Sequence, residues 1–90
     1  MSLYVAAYDI PSDWRRRRVA KVLTSYGHRI QESVFECRLD LEDVPELRIR
    51  IGLLLEKDDK FDIFPIDERG TRRRVSWLRQ PDIWEAVLLR

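Results

Sequence analysis

A 90-residue chain with a hydrophobic fraction of 44% has enough apolar surface to offset the entropy of folding, which excludes disorder and predicts one small domain, residues 1–90. A single Cys and a single His exclude an internal disulfide and a zinc site, and they favour the reducing cytoplasm. No apolar run is long enough to span a membrane. The net charge is +1, but residues 1–30 carry six Lys and Arg against two Asp, and residues 31–70 carry six against twelve acidic residues. This segregation permits a basic surface for nucleic acid.

The first predicted elements are a strand and a basic helix. Residues 3–9, "LYVAAYD", are apolar without polar alternation, which predicts a central strand covered on both faces. Pro11 ends this strand, and Ser12 or Asp13 is expected to cap the helix that follows. Gly27 is expected to end the helix. The buried stripe of the helix is predicted to be Val19, Val22, Leu23 and Tyr26.

The middle of the chain predicts a hairpin, a second helix and a further strand. Residues 29–39 have strand character on both sides of a tight turn at Gln31 and Glu32. The helix is expected to begin at Asp43 with Glu46 as its capping-box partner. Residues 61–66, "FDIFPI", predict a strand that its proline confines to an edge or to a strand end. The residues that the second helix is expected to bury are Val44, Leu47, Ile51 and Leu54.

The resulting order, β-α-β-β-α-β, predicts a ferredoxin-like α+β domain, in which one antiparallel sheet carries both helices on one face. Residues 1–70 form this core, and residues 71–90 form a carboxyl-terminal strand and tail. Within the tail, residues 72–78, "RRRVSWL", are expected to form a fifth strand after a turn at residues 68–70. Because the second face of the sheet needs covering, a homodimer is expected, with exchange of the terminal strand as one way to build it.

The stretch "YDIPSDWRRRRVAKVLTSYGHRIQESVFECRLD" resembles the amino-terminal half of the second CRISPR-associated (Cas) protein family, the small partner of the spacer integrase. The shared signature is an aspartate that ends the first strand, a Pro/Asp-rich cap, a basic helix that closes in Tyr-Gly, and then Arg-x-Gln-x-Ser-Val-Phe-Glu-Cys. The resemblance implies ferredoxin-like dimers that pair through their sheet faces. It also implies a hub of the spacer-capture complex, with the integrase and double-stranded DNA or RNA as partners, and a metal-dependent nuclease activity in some members.

The resemblance also implies an active cleft around Asp9. If a two-fold axis passes near the end of the first strand, Asp9 and its symmetry mate converge and either share a proton or bind a hard cation such as Mg²⁺ or Mn²⁺. The alternative is that Asp9 caps the turn into the helix. Each of three residues has an alternative role. Tyr8 is a core residue in that case, Phe35 packs in the core or at the dimer interface, and Arg29 simply flanks the turn. The residues implied near the cleft are Tyr8, Arg16, Arg18, Arg29 and Phe35, with Asp9 as the metal ligand.

Two arginine clusters suggest contacts with phosphates. The first is Arg15, Arg16, Arg17 and Arg18, and the second is Arg72, Arg73 and Arg74. The first cluster spans almost a full helical turn, so its members cannot all reach one ligand. Like charges at the positive end of a helix dipole are unfavourable, and a phosphate backbone would relieve this repulsion, whereas a solvated helix face is the alternative. For the second cluster, the alternative is charge that protects an edge strand from aggregation.

The sequence therefore predicts a CRISPR adaptation protein that acts in spacer acquisition, as a dimeric nucleic-acid-binding hub with Mg²⁺-dependent endonuclease activity on RNA or double-stranded DNA. Two alternatives stay open. One is a non-catalytic DNA-binding scaffold of the integrase complex, and the other is a ferredoxin-like regulatory module with no nucleic-acid role.

Overall fold

Alternating strands and helices make up the computed structural model, which describes residues 1–77. In chain order they are β1 (Ser2–Asp9), α1 (Asp13–Thr24), β2 (Gly27–Gln31), β3 (Val34–Leu39), α2 (Asp43–Gly52), β4 (Lys60–Ile66) and α3 (Glu68–Arg72). The sheet has the strand order β2-β3-β1-β4, and all neighbouring strands are antiparallel. This is the predicted ferredoxin-like arrangement, with β1 in a central position and the Pro65-containing β4 at an edge.

The core lies between the sheet and the two longer helices. Alternate residues of β1 point to opposite faces, so Ala6 and Tyr8 are buried against the helices, whereas Val5 lies on the other face. Residues 1–77 cover that second face only in part, because Val5 and Ala7 are half-buried; the predicted cover by the tail and a second copy lies outside the described residues. The buried core comprises Ala6, Tyr8, Ile10, Val19, Ala20, Leu23, Phe35, Cys37, Leu39, Leu47 and Ile51.

Gly27 has a different role from the predicted one. Helix α1 ends at Thr24 with Ser25 as its C-cap, and Gly27 is the first residue of β2. A Cβ atom placed on Gly27 would lie 1.8 Å from the backbone oxygen of Glu36. The glycine is therefore required by the close approach of β2 to β3 and does not terminate the helix.

The hairpin turn and the start of α2 also differ in detail from the predictions. The turn lies at Glu32 and Ser33, one residue later than expected. The predicted capping box is wrong, because the carboxylate of Glu46 accepts a hydrogen bond of 2.6 Å from the hydroxyl of Tyr26. At the start of α2, the carboxylate of Asp43 instead accepts a bond of 2.8 Å from the backbone N–H of Asp40. The tertiary contact to Tyr26 thus replaces the local cap.

The predicted fifth strand is wrong for residues 72–77. Residues 68–72 form the helix α3, whose N-cap Asp67 accepts a hydrogen bond of 2.8 Å from the backbone N–H of Gly70. After α3, Arg74 forms an ion pair with Glu36, which is only 4% exposed on the sheet face opposite α1 and α2. A buried carboxylate requires a cation, so the segment is held over this face and does not extend as a strand. Residues 78–90, with the predicted tail, lie outside the described residues.

Arg15 ties helix α1 to the loop that precedes β4. Its Nε donates a hydrogen bond of 2.8 Å to Oδ2 of Asp59, and its Nη2 donates one of 3.0 Å to Oδ1. The backbone N–H of Glu56 also donates to Asp59 at 2.9 Å, and no part of the Asp59 side chain is exposed. These hydrogen bonds, with that of Arg15 foremost, hold the pKa of Asp59 below its ordinary value.

We expect Gly27→Ala to lower the free energy of unfolding by at least about 2 kcal/mol, because the added Cβ would force β2 away from β3. A urea titration followed by circular dichroism measures this change. The matched control is Gly52→Ala, since a Cβ at Gly52 meets nothing within 4 Å. In a helix this change should stabilise by about 0.5–1 kcal/mol. Equal effects at the two positions would contradict the close-approach role.

We also expect Asp59→Asn to destabilise the protein in a pH-dependent manner. Because the pKa of Asp59 is lowered in the folded state, its stabilising effect is present above the ordinary carboxyl pKa and is lost as the pH falls through the folded value. The urea midpoints of the variant and the parent protein should therefore differ at neutral pH and converge as the pH falls below the ordinary carboxyl pKa. The exposed neighbour Asp58, changed to Asn, is the control, and a gap that stays constant with pH would argue against the ion pair.

Candidate active site at the end of β1

Tyr8 forms the buried side of the candidate site. Its ring stacks against Phe35 and Phe61, with centroid distances of 6.4 and 6.1 Å, and its hydroxyl donates a hydrogen bond of 3.4 Å to the backbone oxygen of Glu32. Burial raises the pKa of the Tyr8 hydroxyl, and the positive charge of Arg29 offsets part of that rise. The hydroxyl is therefore a hydrogen-bond donor at neutral pH and is unsuited to act as a base.

Arg29 lies beside Tyr8 because β2 pairs with β3. In that ladder Arg29 stands opposite Phe35, and its guanidinium lies 5.4 Å from the centre of the Phe35 ring. Phe35 itself is only 1% exposed, so it is a core residue that also supports the arginine. The structure thus brings together Tyr8, Arg29 and Phe35, which are far apart in the sequence.

Asp9 follows Tyr8 and points to the opposite face of the sheet. It is exposed, and it stands opposite Lys60 in the ladder between β1 and β4. Within residues 1–77, no hydrogen bond or ion pair engages its carboxylate. The cap of α1 is Ser12, whose hydroxyl accepts a bond of 3.2 Å from the backbone N–H of Arg15. Asp9 is therefore not the cap, and its carboxylate is available to a ligand.

The four consecutive arginines of α1 diverge, as helix geometry predicts. Arg15 is bound by Asp59, and Arg16 donates a hydrogen bond of 2.8 Å to the backbone oxygen of Ile10 and pairs with Asp13. Arg18 lies over the ring of Trp14, 4.8 Å from its centre. Arg17 is exposed and has no hydrogen-bond or ion-pair partner among the described residues. Arg16 is the member held at the end of β1, where its charge also acts on the Tyr8 hydroxyl.

The second arginine cluster does not form the predicted strand face. Arg72 ends α3 and pairs with Glu68 at 2.6 Å, whereas Arg74 lies beyond the helix and pairs with the buried Glu36. Arg73 is exposed between them. Glu36 also lies 3.8 Å from Nε2 of His28. Sequence reasoning missed this buried carboxylate, for which the only signal was a Glu between two core residues of β3.

Residues 1–77 of one chain offer few ligands to a metal ion. An exposed carboxylate such as that of Asp9 is the ligand type that Mg²⁺ prefers. However, no group of three or more His, Cys, Asp or Glu side chains within residues 1–77 is placed to hold a metal. Asp9 therefore fits a mostly hydrated cation only if further ligands come from outside this part of the chain. Over the same residues, no helix is long and apolar enough to cross a membrane.

The fold and the site define a small ferredoxin-like protein in which an exposed aspartate ends the central strand beside a basic helix. The model of the family described as CRISPR associated protein Cas2 matches residues 1–74, and the chain therefore belongs to the Cas2 family. This confirms the resemblance that the sequence indicates over β1, α1 and the hairpin.

Individual relatives agree with this assignment. The chain is 40% identical over 85 residues to the CRISPR-associated endoribonuclease Cas2 3 of Synechocystis sp., which covers 93% of this chain and 85% of the relative. It is 49% identical over 65 residues to the CRISPR-associated endonuclease Cas2 2 of Thermus thermophilus, covering 71% and 72% of the two chains. The crystal structure of Streptococcus pyogenes Cas2 at pH 6.5 has a TM-score of 0.76, 25% identity, and a match over 83% of this chain and 98% of that one.

Proposed function

We propose that the protein acts in CRISPR adaptation as a dimeric, nucleic-acid-binding hub with Mg²⁺-dependent endonuclease activity on RNA or double-stranded DNA. The observation that carries this proposal is the exposed Asp9 carboxylate, which has no partner within residues 1–77 and lies at the end of β1 beside Arg16. The relative from Synechocystis, which is 40% identical, is named an endoribonuclease, and the one from Thermus thermophilus is named an endonuclease. The partly covered sheet face supports the dimer.

The proposed dimer pairs two copies through this sheet face. On this face Val5 stands opposite Phe64 and Ala7 stands opposite Asp62, and Phe64 is 51% exposed although it is large and apolar. Burying such a surface against a second copy is favourable. Asp9 lies on the same face, so a two-fold axis near the end of β1 would bring the two Asp9 carboxylates together as two ligands for one cation.

In the proposed reaction, the two Asp9 carboxylates hold the cation and the neighbouring residues bind the substrate. When bound, Mg²⁺ supplies polarisation of the phosphodiester and lowers the pKa of a coordinated water. Arg16, which is held at the end of β1, stabilises the negative charge of the phosphate. Arg29 lies with Tyr8 on the face opposite Asp9, so a substrate that also contacts Arg29 has to pass around the end of the sheet. The Tyr8 hydroxyl stays protonated because burial raises its pKa; it donates to the backbone oxygen of Glu32 and accepts from Arg29, which it orients.

The arginines beyond the cleft bind the phosphate backbone in this proposal. Arg17 and Arg73 are exposed, and Arg17 has no partner among the described residues, so both suit contact with phosphates at low cost. Arg18 lies close to Arg17 and extends the basic surface along α1. Arg15 is bound by Asp59, so its main role is to stabilise the fold. Arg72 and Arg74 can bind phosphates only if they release Glu68 and Glu36, with which they now pair.

A second candidate function is a non-catalytic DNA-binding scaffold of the integrase complex. The observation that favours it is that residues 1–77 contain no group of three or more possible metal ligands, because a lone carboxylate binds a cation weakly. In that case Asp9 would be dispensable while the basic surface would not.

The decisive variant for the nuclease is Asp9→Asn. We expect it to lower the cleavage rate of labelled single-stranded RNA and duplex DNA in Mg²⁺ by at least about 100-fold, since the loss of even an outer-shell partner costs about 10- to 100-fold. Folding and nucleic-acid binding should stay unchanged, because the carboxylate has no partner within residues 1–77. EDTA should abolish cleavage by the parent protein.

Two further measurements separate the dimer from the chemistry. Sedimentation velocity should show a dimer for the parent protein and for Asp9→Asn, whereas Phe64→Glu should be a folded monomer that no longer cleaves. Traces of cleavage that are equal in the parent protein and Asp9→Asn would mean a contaminating nuclease and would favour the scaffold.

The basic surface is tested by Arg17→Gln. We expect it to weaken the binding of duplex DNA and to reduce the slope of log affinity against log salt by about 0.9 for each phosphate that the variant no longer binds. The matched control is Lys57→Gln, which removes one exposed cation from the turn before β4. If both variants weaken binding to the same extent, only net charge matters and Arg17 makes no specific contact.

A further inference from the structure

The groove between α1 and α2 is a second candidate binding surface. It encloses about 540 Å³ and is lined by three cationic side chains, Arg18, Lys21 and Arg50, and by three apolar ones, Val22, Leu53 and Leu54. No Asp or Glu of the described residues lines it. We propose that this groove binds an acidic, amphipathic helix of a protein partner.

The shape of the groove suits a helix. Along α1, the groove is lined from Arg18 through Lys21 to Ser25, and these positions share one face of the helix. From Arg18 to Ser25 this wall is about 10 Å long, because a helix rises about 1.5 Å per residue. That length accommodates about two turns of a partner helix.

The floor of the groove is apolar and open to solvent. Leu53 is 82% exposed, and Ile49, which lies one helical turn before it on α2, is also exposed. Large apolar side chains that neighbour each other at the surface are typical of an interaction surface. An amphipathic helix with apolar residues at i, i+3, i+4 and i+7 would bury them.

The charges around the floor select an acidic partner. Arg50 donates a hydrogen bond of 3.0 Å to the Tyr26 hydroxyl, and Arg18 stacks on Trp14, so both guanidinium groups are held in place before binding. Lys21 is exposed and has no partner among the described residues. The Tyr26 hydroxyl donates a hydrogen bond to the Glu46 carboxylate, so this carboxylate already has a partner. Complementary charge gives such an interface its specificity and speeds association.

The apolar floor distinguishes this groove from a nucleic-acid surface. A phosphate backbone contacts cations and polar groups and would leave Leu53 exposed. Single-stranded bases stack on aromatic rings, but one face of the Trp14 ring is already occupied by Arg18. The groove is formed by the helices, which cover the sheet face opposite Asp9. The inference therefore does not depend on the nuclease or on the proposed dimer.

The test uses a fluorescent, stapled peptide of about three helical turns, with Leu at i, i+3, i+4 and i+7 and Glu at the flanking positions. We expect it to bind the full chain in an anisotropy titration. A peptide in which Lys replaces Glu, and a scrambled acidic peptide of the same composition, should bind at least about tenfold more weakly. In the protein, Leu53→Glu and Lys21→Glu should each weaken binding of the acidic peptide by at least about tenfold.

Lys57→Glu is the matched control for charge and should leave binding unchanged, and Leu53→Ser replaces Leu53→Glu if the glutamate variant shows an altered circular dichroism melt. Equal binding of the scrambled peptide, or binding that survives Leu53→Ser and Lys21→Glu, would overturn the proposal. Absence of peptide binding together with loss of DNA or RNA binding in Lys21→Glu would assign the groove to nucleic acid. Cleavage by the same variants is measured in parallel, so failure of the groove and failure of the Asp9 site are distinguishable.

Discussion

The alternation of side chains along β1 is the constraint from which the rest of the structure follows. Because successive residues of a strand point to opposite faces, Tyr8 enters the core against the helices and Asp9 reaches the opposite face of the sheet. A shift of one residue in the pairing of β1 would exchange these environments, burying the carboxylate and exposing the tyrosine. The tight approach of β2 to β3 at Gly27 then places Arg29 beside Tyr8. Packing and candidate chemistry are thus set by the same register.

Helix α1 directs its charged side chains to different sides, as β1 directs polar and apolar side chains to opposite faces. Its turn of about 100° per residue sends the four arginines in different directions, so each has a different environment. Arg15 stabilises the loop before β4, Arg16 stays at the end of β1, and Arg18 lines the groove beside α2. A run that looks uniform in the sequence therefore serves stability, the candidate active site and the candidate docking groove separately.

Much of the fold was predictable from sequence because it depends on local periodicity. The order of β1 to β4 with α1 and α2, and the burial of Phe35, Cys37 and Leu39 on one face of β3, follow from patterns within a few residues. The errors lie where a distant residue decides the outcome. Glu46 bonds to Tyr26 and so does not cap α2, and Arg74 pairs with Glu36 and so does not extend a strand. In the candidate site, Tyr8 lies near Arg29 because β2 pairs with β3. The sequence could not show whether Asp9 caps α1, and the structure shows that Ser12 is the cap.

The net charge of +1 is compatible with a basic surface because several acidic residues of segment 31–70 are engaged by partners within the protein. Asp59 and Glu36 are buried against arginines, and Glu46 is bound by a tyrosine hydroxyl. Arg17 and Lys21, in contrast, have no partner within residues 1–77 and lie exposed on α1. The field outside the protein near α1 is therefore more positive than the composition indicates. Since Asp9 and the helix groove lie on opposite sides of the sheet, a protein partner in the groove leaves Asp9 accessible, but it competes with nucleic acid for Arg18, which belongs to both proposed surfaces.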